Sequence, residues 1–322
     1  MRKRKKENFL SKLNNALFTF ILVAIMLFWL QGYTNASSLK FAQISDDHFL
    51  SNGANTTFKM IAESPNLLDD AISQINSVPN IDFVMFTGDL IDKPFEKELR
   101  AVFPHVNKLN VPWYFAFGNH DVCIGGYLTK NVYLNMLREN NPNFNFTKPY
   151  YSFIPKKGYK VIVLDGIIDS ELTSNGYIYP EQVKWLDEEL NNSQKDVVLI
   201  FMHVPIVEPF NSPNHRLKNA TEIQNIIEKY KNPIGVFMGH YHAAKIRQKN
   251  NVLYINSPSL VSYPNAFRII NVTKKRNKVI FDFQFKETRL QNVQKVAKIL
   301  VFGSNLYSGE QQDQNGTYVI KR

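Results

Sequence analysis

Six short apolar runs constrain this chain most, because each closes on, or next to, a glycine, aspartate or histidine. They are "LKFAQIS" (39–45), "IDFVMFTG" (81–88), "PWYFAFG" (112–118), "YKVIVLD" (159–165), "DVVLIFMH" (196–203) and "PIGVFMGH" (233–240). Runs this rich in Val, Ile, Phe and Tyr suit strands covered on both faces. Helical spacing fills the gaps between them. Ser64-Pro65 reads as a cap and first turn, with Leu68, Ala71, Ile72 and Ile75 on one face. Pro180 opens a second helix carrying Val183, Leu186 and Leu190, and Ile223, Ile226, Ile227 and Tyr230 mark a third. Strands alternating with helices mean an α/β fold. Near the end, "VLYINS", "AFRIINV" and "KVIFDFQFKE" read as strands in hairpin-like succession, so that end is more antiparallel.

No repeat, low-complexity stretch or linker interrupts residues 37–286, which read as one domain. Residues 287–322 form an extension. In it "VQKVAKILVF" suits an amphipathic helix or a strand, and "YSGEQQDQNGTY" a polar loop.

The net charge of +10 is unevenly placed: residues 1–36 hold six Lys/Arg against one Glu, half of the total excess. The mild remainder argues against nucleic acid as a partner. "MRKRKK" followed by the uncharged run Ala16–Leu30 resembles an export signal, with Thr34-Asn35-Ala36 as a small-residue cleavage site. The rival reading is an uncleaved N-terminal anchor, which would be the chain's only membrane contact. Either places the body outside the cytoplasm, as a secreted, periplasmic or cell-surface protein. A single cysteine, Cys123, allows no intrachain disulfide and reads as a small buried hydrophobe.

The polar residues at the run ends are Asp46-Asp47-His48, Gly88-Asp89, Gly118-Asn119-His120-Asp121, His203 and Gly239-His240-Tyr241-His242. They include five of the seven histidines; His105 and His215 stand apart. Taken singly, each piece is an ordinary turn former or core histidine. Together they converge, because loops at the carboxyl ends of strands in an α/β sheet line one crevice. Carboxylate, amide oxygen and imidazole suit hard or borderline cations, and two such ions clamp an in-line displacement.

In this set the chain resembles the calcineurin-like metallophosphoesterases. The family's blocks D-x-H, G-D, G-N-H-D/E, H and G-H-x-H occur in order as "SDDH", "TGDL", "GNHD", "MHVP" and "GHYH", spanning residues 46–242. The resemblance implies a four-layer α-β-β-α sandwich of two mixed β-sheets flanked by helices. It implies two divalent or trivalent ions (Mn, Fe, Zn or Co). One would be held by Asp46, His48 and His242, the other by Asn119, His203 and His240, with Asp89 bridging. His120 would face the substrate and protonate the leaving oxygen while a metal-bound hydroxide attacks phosphorus. Asp92 would orient His120, or be a turn or N-cap residue; Asp121 would support the site from behind, or be a turn residue; Asp47 would point away.

"GDLIDKP" lacks the Arg and Gly that follow the second Asp in protein Ser/Thr phosphatases. Asp92 replaces the tyrosine that purple acid phosphatases carry at that offset, and His48 is present where they lack it. "GNHD", "YPEQVKWLDEEL" and "INSPSLVSYPNAFR" are most similar to the bacterial cyclic-nucleotide phosphodiesterase-like subgroup. An exported hydrolase of small phosphomono- or phosphodiesters follows. The alternatives are a catalytically weak, metal-binding interaction module on the same fold, or a nuclease. Arg216, His215 and Tyr241 are the candidate substrate contacts, set against a solvated loop or core packing.

Overall fold

All six runs are strands, and they divide between two sheets. A computed structural model describes residues 17–24, 26, 37–122 and 126–321. Its strands are β1 (Ser37–Ile44), β2 (Phe83–Thr87), β3 (Trp113–Ala116), β4 (Tyr151–Lys156), β5 (Tyr159–Val163), β6 (Val197–Phe201), β7 (Ile234–Met238), β8 (Lys245–Lys249), β9 (Val252–Asn256), β10 (Ala266–Lys274), β11 (Lys278–Glu287) and β12 (Thr317–Lys321). The first sheet runs β12-β11-β10-β1-β2-β3 and the second β4-β5-β6-β7-β9-β8. β1, β2 and β3 are parallel, as are β5, β6, β7 and β9; the remaining pairs are antiparallel. Both sheets are therefore mixed.

Inward-facing aromatics join the sheets. Phe41 of β1 stacks on Phe83 of β2 at 5.1 Å and meets Phe201 of β6 and Phe237 of β7 edge-on at 5.5 and 5.2 Å. Helices Ser64–Ser77 and Glu96–Val106 flank the first sheet, and Pro180–Asn192 and Ala220–Glu228 the second. Leu68, Ala71, Ile72 and Ile75 are buried as their spacing predicts, as are Leu186, Leu190, Ile223 and Ile227. Each such leucine or isoleucine stabilises the fold by about 1.5–3 kcal/mol. Ser64 does not cap its helix: a 3-10 turn, Ile61–Glu63, runs straight into it, and the Ser64 hydroxyl accepts the Leu50 N–H at 3.0 Å.

Other departures have local causes. "VLYINS" is β9, between β7 and β8 of the second sheet, and so does not continue into a hairpin with β10. The segment after it crosses between sheets, with Leu260 N donating to Ser45 O. The sequence does not announce β4, β8 and β12, and all three are sheet edges. Edge strands tolerate Pro155 or the polar "KIRQK" and lack a two-sided apolar signal. "VQKVAKILVF" is helical as far as Leu300, in the helix Gln291–Leu300, and the stretch expected as a polar loop takes in the end of helix Ser304–Ser308, helix Gln311–Asn315 and the start of β12. The basic start, most of the export-signal stretch and Cys123 lie outside the described residues. Among the described residues no helix is long and apolar enough to cross a membrane.

A buried charge ties the C-terminal segment to the domain. Arg268 of β10 is fully buried; its Nη1 donates to Asp313 O at 2.6 Å and its Nη2 to Asn256 O at 3.2 Å. The Asp313 carboxylate, also buried, takes Lys245 Nζ at 3.0 Å and the Ile246 N–H at 2.9 Å, and its charge offsets the guanidinium. Removing one partner of a buried ion pair costs about 3–5 kcal/mol, because the other charge is left uncompensated. Asp313→Ala is therefore expected to lower the urea midpoint sharply, and Arg268→Met to lower it less, because Lys245 and the Ile246 N–H still hold the Asp313 carboxylate. A wild-type midpoint in Asp313→Ala would contradict this assignment.

Candidate metal centre

Five strand ends converge where the two sheets meet. β1 delivers Asp46 and His48, β2 delivers Asp89, and β3 leads into Asn119 and His120; β6 delivers His203, and β7 His240 and His242. Asp46, His48, Asp89, His240 and His242 all adopt left-handed backbone, with φ between 45° and 74°. Such residues cost about 1–3 kcal/mol each and persist only where their surroundings hold them. Bonds between loops do so here: Asp46 N to Gly88 O at 3.1 Å, His48 N to Asp89 O at 2.8 Å, and His240 N to both Asp46 carboxylate oxygens at 3.0 Å. Gly118 is required by proximity, since a Cβ there would lie 2.1 Å from Asp89 N and 2.2 Å from its Oδ1.

Asp46, His48 and His242 form one group of ligand atoms within 4.8 Å of one another, and Asp89, His203 and His240 form another. Asn119 Oδ1 adjoins the second, 3.2 Å from His203 Nε2. Asp89 Oδ2 stands between them, 3.3 Å from His203 Nε2 and 3.5 Å from His48 Nε2. The seven residues expected as ligands are thus assembled as two clusters sharing one carboxylate, all nearly buried.

Three rings have their outer nitrogen engaged. His203 Nδ1–H donates to Thr87 O at 2.8 Å, His48 Nδ1 lies 3.1 Å from Asp92 Oδ1, and His242 Nδ1 lies 2.7 Å from Ser262 Oγ. Their Nε2 atoms face inward, 3.3 Å apart for His48 and His242, while His240 Nδ1 approaches His203 Nε2 at 3.1 Å. Lone pairs at such distances repel unless a proton or cation lies between them. His240 Nε2 is buried with no hydrogen-bond partner among the described residues. Burial resists charging of His203, yet Asp89 pushes its pKa up to about 9. Burial likewise opposes ionisation of Asp46 and Asp89, but the facing histidines hold both carboxyls below the usual range. The cluster demands positive charge, and its nitrogen and oxygen donors suit two cations.

A sequence model of the calcineurin-like phosphoesterases matches residues 39–244. The chain belongs to that family. Membership makes it a metal-dependent hydrolase of phosphoric ester bonds. It is 27% identical to a 3′,5′-cyclic-nucleotide phosphodiesterase of Nostoc sp. over 231 residues, covering 69% of this chain and 78% of that one. It is 26% identical to a probable glycerophosphodiester phosphodiesterase of Arcobacter nitrofigilis over 230 residues, covering 67% and 77%. A dimetal phosphatase from Danio rerio shares the fold, with TM-score 0.61, 17% identity and coverage of 76% and 95%.

Other residues of this calcineurin-like site follow the sequence less closely. Asp121 is buried and binds three amides, Gly118 N at 2.8 Å, Asp89 N at 2.9 Å and Ile91 N at 3.2 Å, so it ties the second and third blocks together. Burial and the Asp89 charge push its pKa up to about 8. The Asp92 carboxylate is 3.1 Å from His48 Nδ1 but 3.7 Å from His120 Nδ1. His120 instead donates Nδ1–H to the Asp92 backbone carbonyl at 2.8 Å. Asp92 is thus the side-chain partner of His48 and orients His120 through its main chain; it caps no helix, since Phe95 holds that place. Asp47 is buried with neither oxygen hydrogen-bonded among the described residues.

The His215 ring lies 5.2 Å from that of His240, and Tyr241 packs beside it at 6.1 Å. Arg216 is exposed and engaged by Glu208, at 3.2 Å, and by Asn211. Sequence reasoning overlooked Lys59, Phe58 and Ser262. Phe58 stacks on His242 at 5.1 Å. Ser262 lies in the "INSPSLVSYPNAFR" stretch, whose serines were the available signal. Partners that orient a ligating histidine are worth about 10–100-fold in metal affinity. Ser262→Ala is expected to lower affinity by that factor at one of two sites, read by chelator competition; unchanged affinity at both would remove Ser262 from the site.

Proposed function

We propose that this protein hydrolyses small phosphomono- or phosphodiesters at a dinuclear centre held by Asp46, His48, Asp89, Asn119, His203, His240 and His242. The observation that carries the reading is the pair of buried clusters with Asp89 Oδ2 within 3.5 Å of a histidine of each, and the part-exposed His120 beside them. When bound, the two ions supply Lewis acidity toward phosphoryl oxygens and an activated water at neutral pH.

The residues of the chain supply the rest. His120 N–H donates to Asp89 Oδ1 at 2.8 Å, so the backbone that carries the imidazole is fixed to the bridging carboxylate. Because a carbonyl only accepts, the Nδ1–H to Asp92 O leaves Nε2 as the atom that takes or delivers a proton. Burial lowers the His120 pKa, and Asp89 opposes this. A residue so placed can protonate a departing oxygen.

Metal-reconstituted protein is expected to cleave nitrophenyl phosphate mono- or diesters, with cyclic nucleotides and pyrophosphates as the screen for a native class. Absence of cleavage across all of them would sink the reading. The relatives' names favour diesters among these. Export is also part of the proposal: the basic start and apolar run Ala16–Leu30 support it. Mass spectrometry of medium, membrane and cytosolic fractions tests it, and an intact chain in the cytosol alone would refute it.

A further inference from the structure

Lys59 stands where the ligand clusters open to solvent. Its side chain, with those of Asp92 and His120, is 15–19% exposed, whereas His48 behind them is 1% exposed. Its Nζ lies 3.4 Å from His120 Nε2, 3.1 Å from His48 Nδ1 and 3.5 Å from Asp92 Oδ1. The position is built. The Lys59 N–H donates to Thr56 Oγ1 at 2.8 Å, and Met60 N, next in the chain, donates to Val261 O at 2.8 Å. Neighbouring Phe58 is seated on His242.

Lys59 has one carboxylate beside it, Asp92. His48 Nδ1 lies 3.1 Å from both Lys59 Nζ and Asp92 Oδ1, so it can accept from the ammonium or donate to the carboxylate, not both. Asp92 is shared between an imidazole and an ammonium and is nearer the imidazole. A cation held through His48 Nε2 would add further positive charge. Lys59 Nζ and His120 Nε2 are 3.4 Å apart at the part-exposed face, close enough for both to reach one anionic oxygen.

We propose that Lys59 binds a non-bridging phosphoryl oxygen beside His120 and biases the site toward dianionic, terminal phosphate groups. The proposal rests on the phosphoesterase reading above. A phosphomonoester near neutral pH carries two negative charges and a diester one, so a fixed cation discriminates between them.

The test uses manganese-loaded full-length protein. Lys59→Met is expected to lower the ratio of kcat/KM for nitrophenyl phosphate to that for bis-nitrophenyl phosphate by roughly tenfold, and to weaken inorganic phosphate binding by a similar factor in calorimetry. Metal content and thermal midpoint should stay at wild-type values. Lys59→Arg, which keeps the charge, should retain most of the monoester preference. An unchanged ratio with unchanged phosphate affinity in Lys59→Met overturns the proposal. So does an equal fall on both esters accompanied by metal loss, which would mark a purely structural lysine. If the wild type cleaves neither ester, the phosphoesterase reading fails, and phosphate affinity alone then decides the role of Lys59.

Discussion

Asp89→Asn is expected to give a folded protein that has lost at least one cation and at least about a thousandfold in phosphoester hydrolysis. The substitution keeps the shape of the side chain and its left-handed backbone, which asparagine tolerates. The Asp89 N–H and C=O remain bound to Asp121 and His48, so the strand tip should keep its place. What changes is charge. Oδ2 is the atom nearest both clusters, 3.3 Å from His203 Nε2 and 3.5 Å from His48 Nε2, and it becomes a neutral amide. If the amide nitrogen takes that place, a donor points at a second donor or at a cation. Metal analysis after desalting, beside hydrolysis of bis-nitrophenyl phosphate, reads both effects. A variant that keeps two ions per chain and near wild-type turnover would remove Asp89 as the bridge.

His120→Ala should separate chemistry from metal binding. His120 is not one of the seven expected ligands, though it groups with His48 and Asp92; its hydrogen-bond contacts are its own N–H to Asp89 Oδ1, its Nδ1 to Asp92 O and its Nε2 with Lys59 Nζ. The first survives truncation to alanine. Metal content should therefore stay at the wild-type level while turnover falls about 10²–10⁴-fold, the usual worth of a positioned acid or base. The loss should also depend on the leaving group. Nitrophenolate departs without a proton, so the deficit should be smaller for nitrophenyl esters than for alkyl esters. Equal losses on both would assign His120 to charge stabilisation alone. Loss of metal would place it among the ligands.

The centre of this fold was legible because its signals are local. Each ligand block sits at the tip of an apolar run, and strand ends in α/β sheets gather on one side. Asp46, His48, Asp89, Asn119, His203, His240 and His242 could therefore be brought together on paper. Lys59 could not. It lies in a loop, "NGANTTFKM", whose course is set by Thr56 and by the distant Val261. The offset of Asp92 from Asp89 placed it near His120 but could not say that its carbonyl, and not its carboxylate, would hold the ring. The polar "EQQDQN" became a helix because the Asp313 side chain accepts the Glu310 N–H at 3.0 Å while also holding Lys245 and Ile246. That stabilisation is tertiary and leaves no apolar periodicity to read.

The Arg268–Asp313 contact also bears on biosynthesis. The two residues are 45 positions apart, so the arginine is translated well before the segment that shelters its charge. In the interval β10 can pair with β1 and β11, but closing the sheets would bury a guanidinium with only Asn256 O to receive it. The last segment of the described chain thus completes the shelter of a charge that an earlier strand carries into the interior.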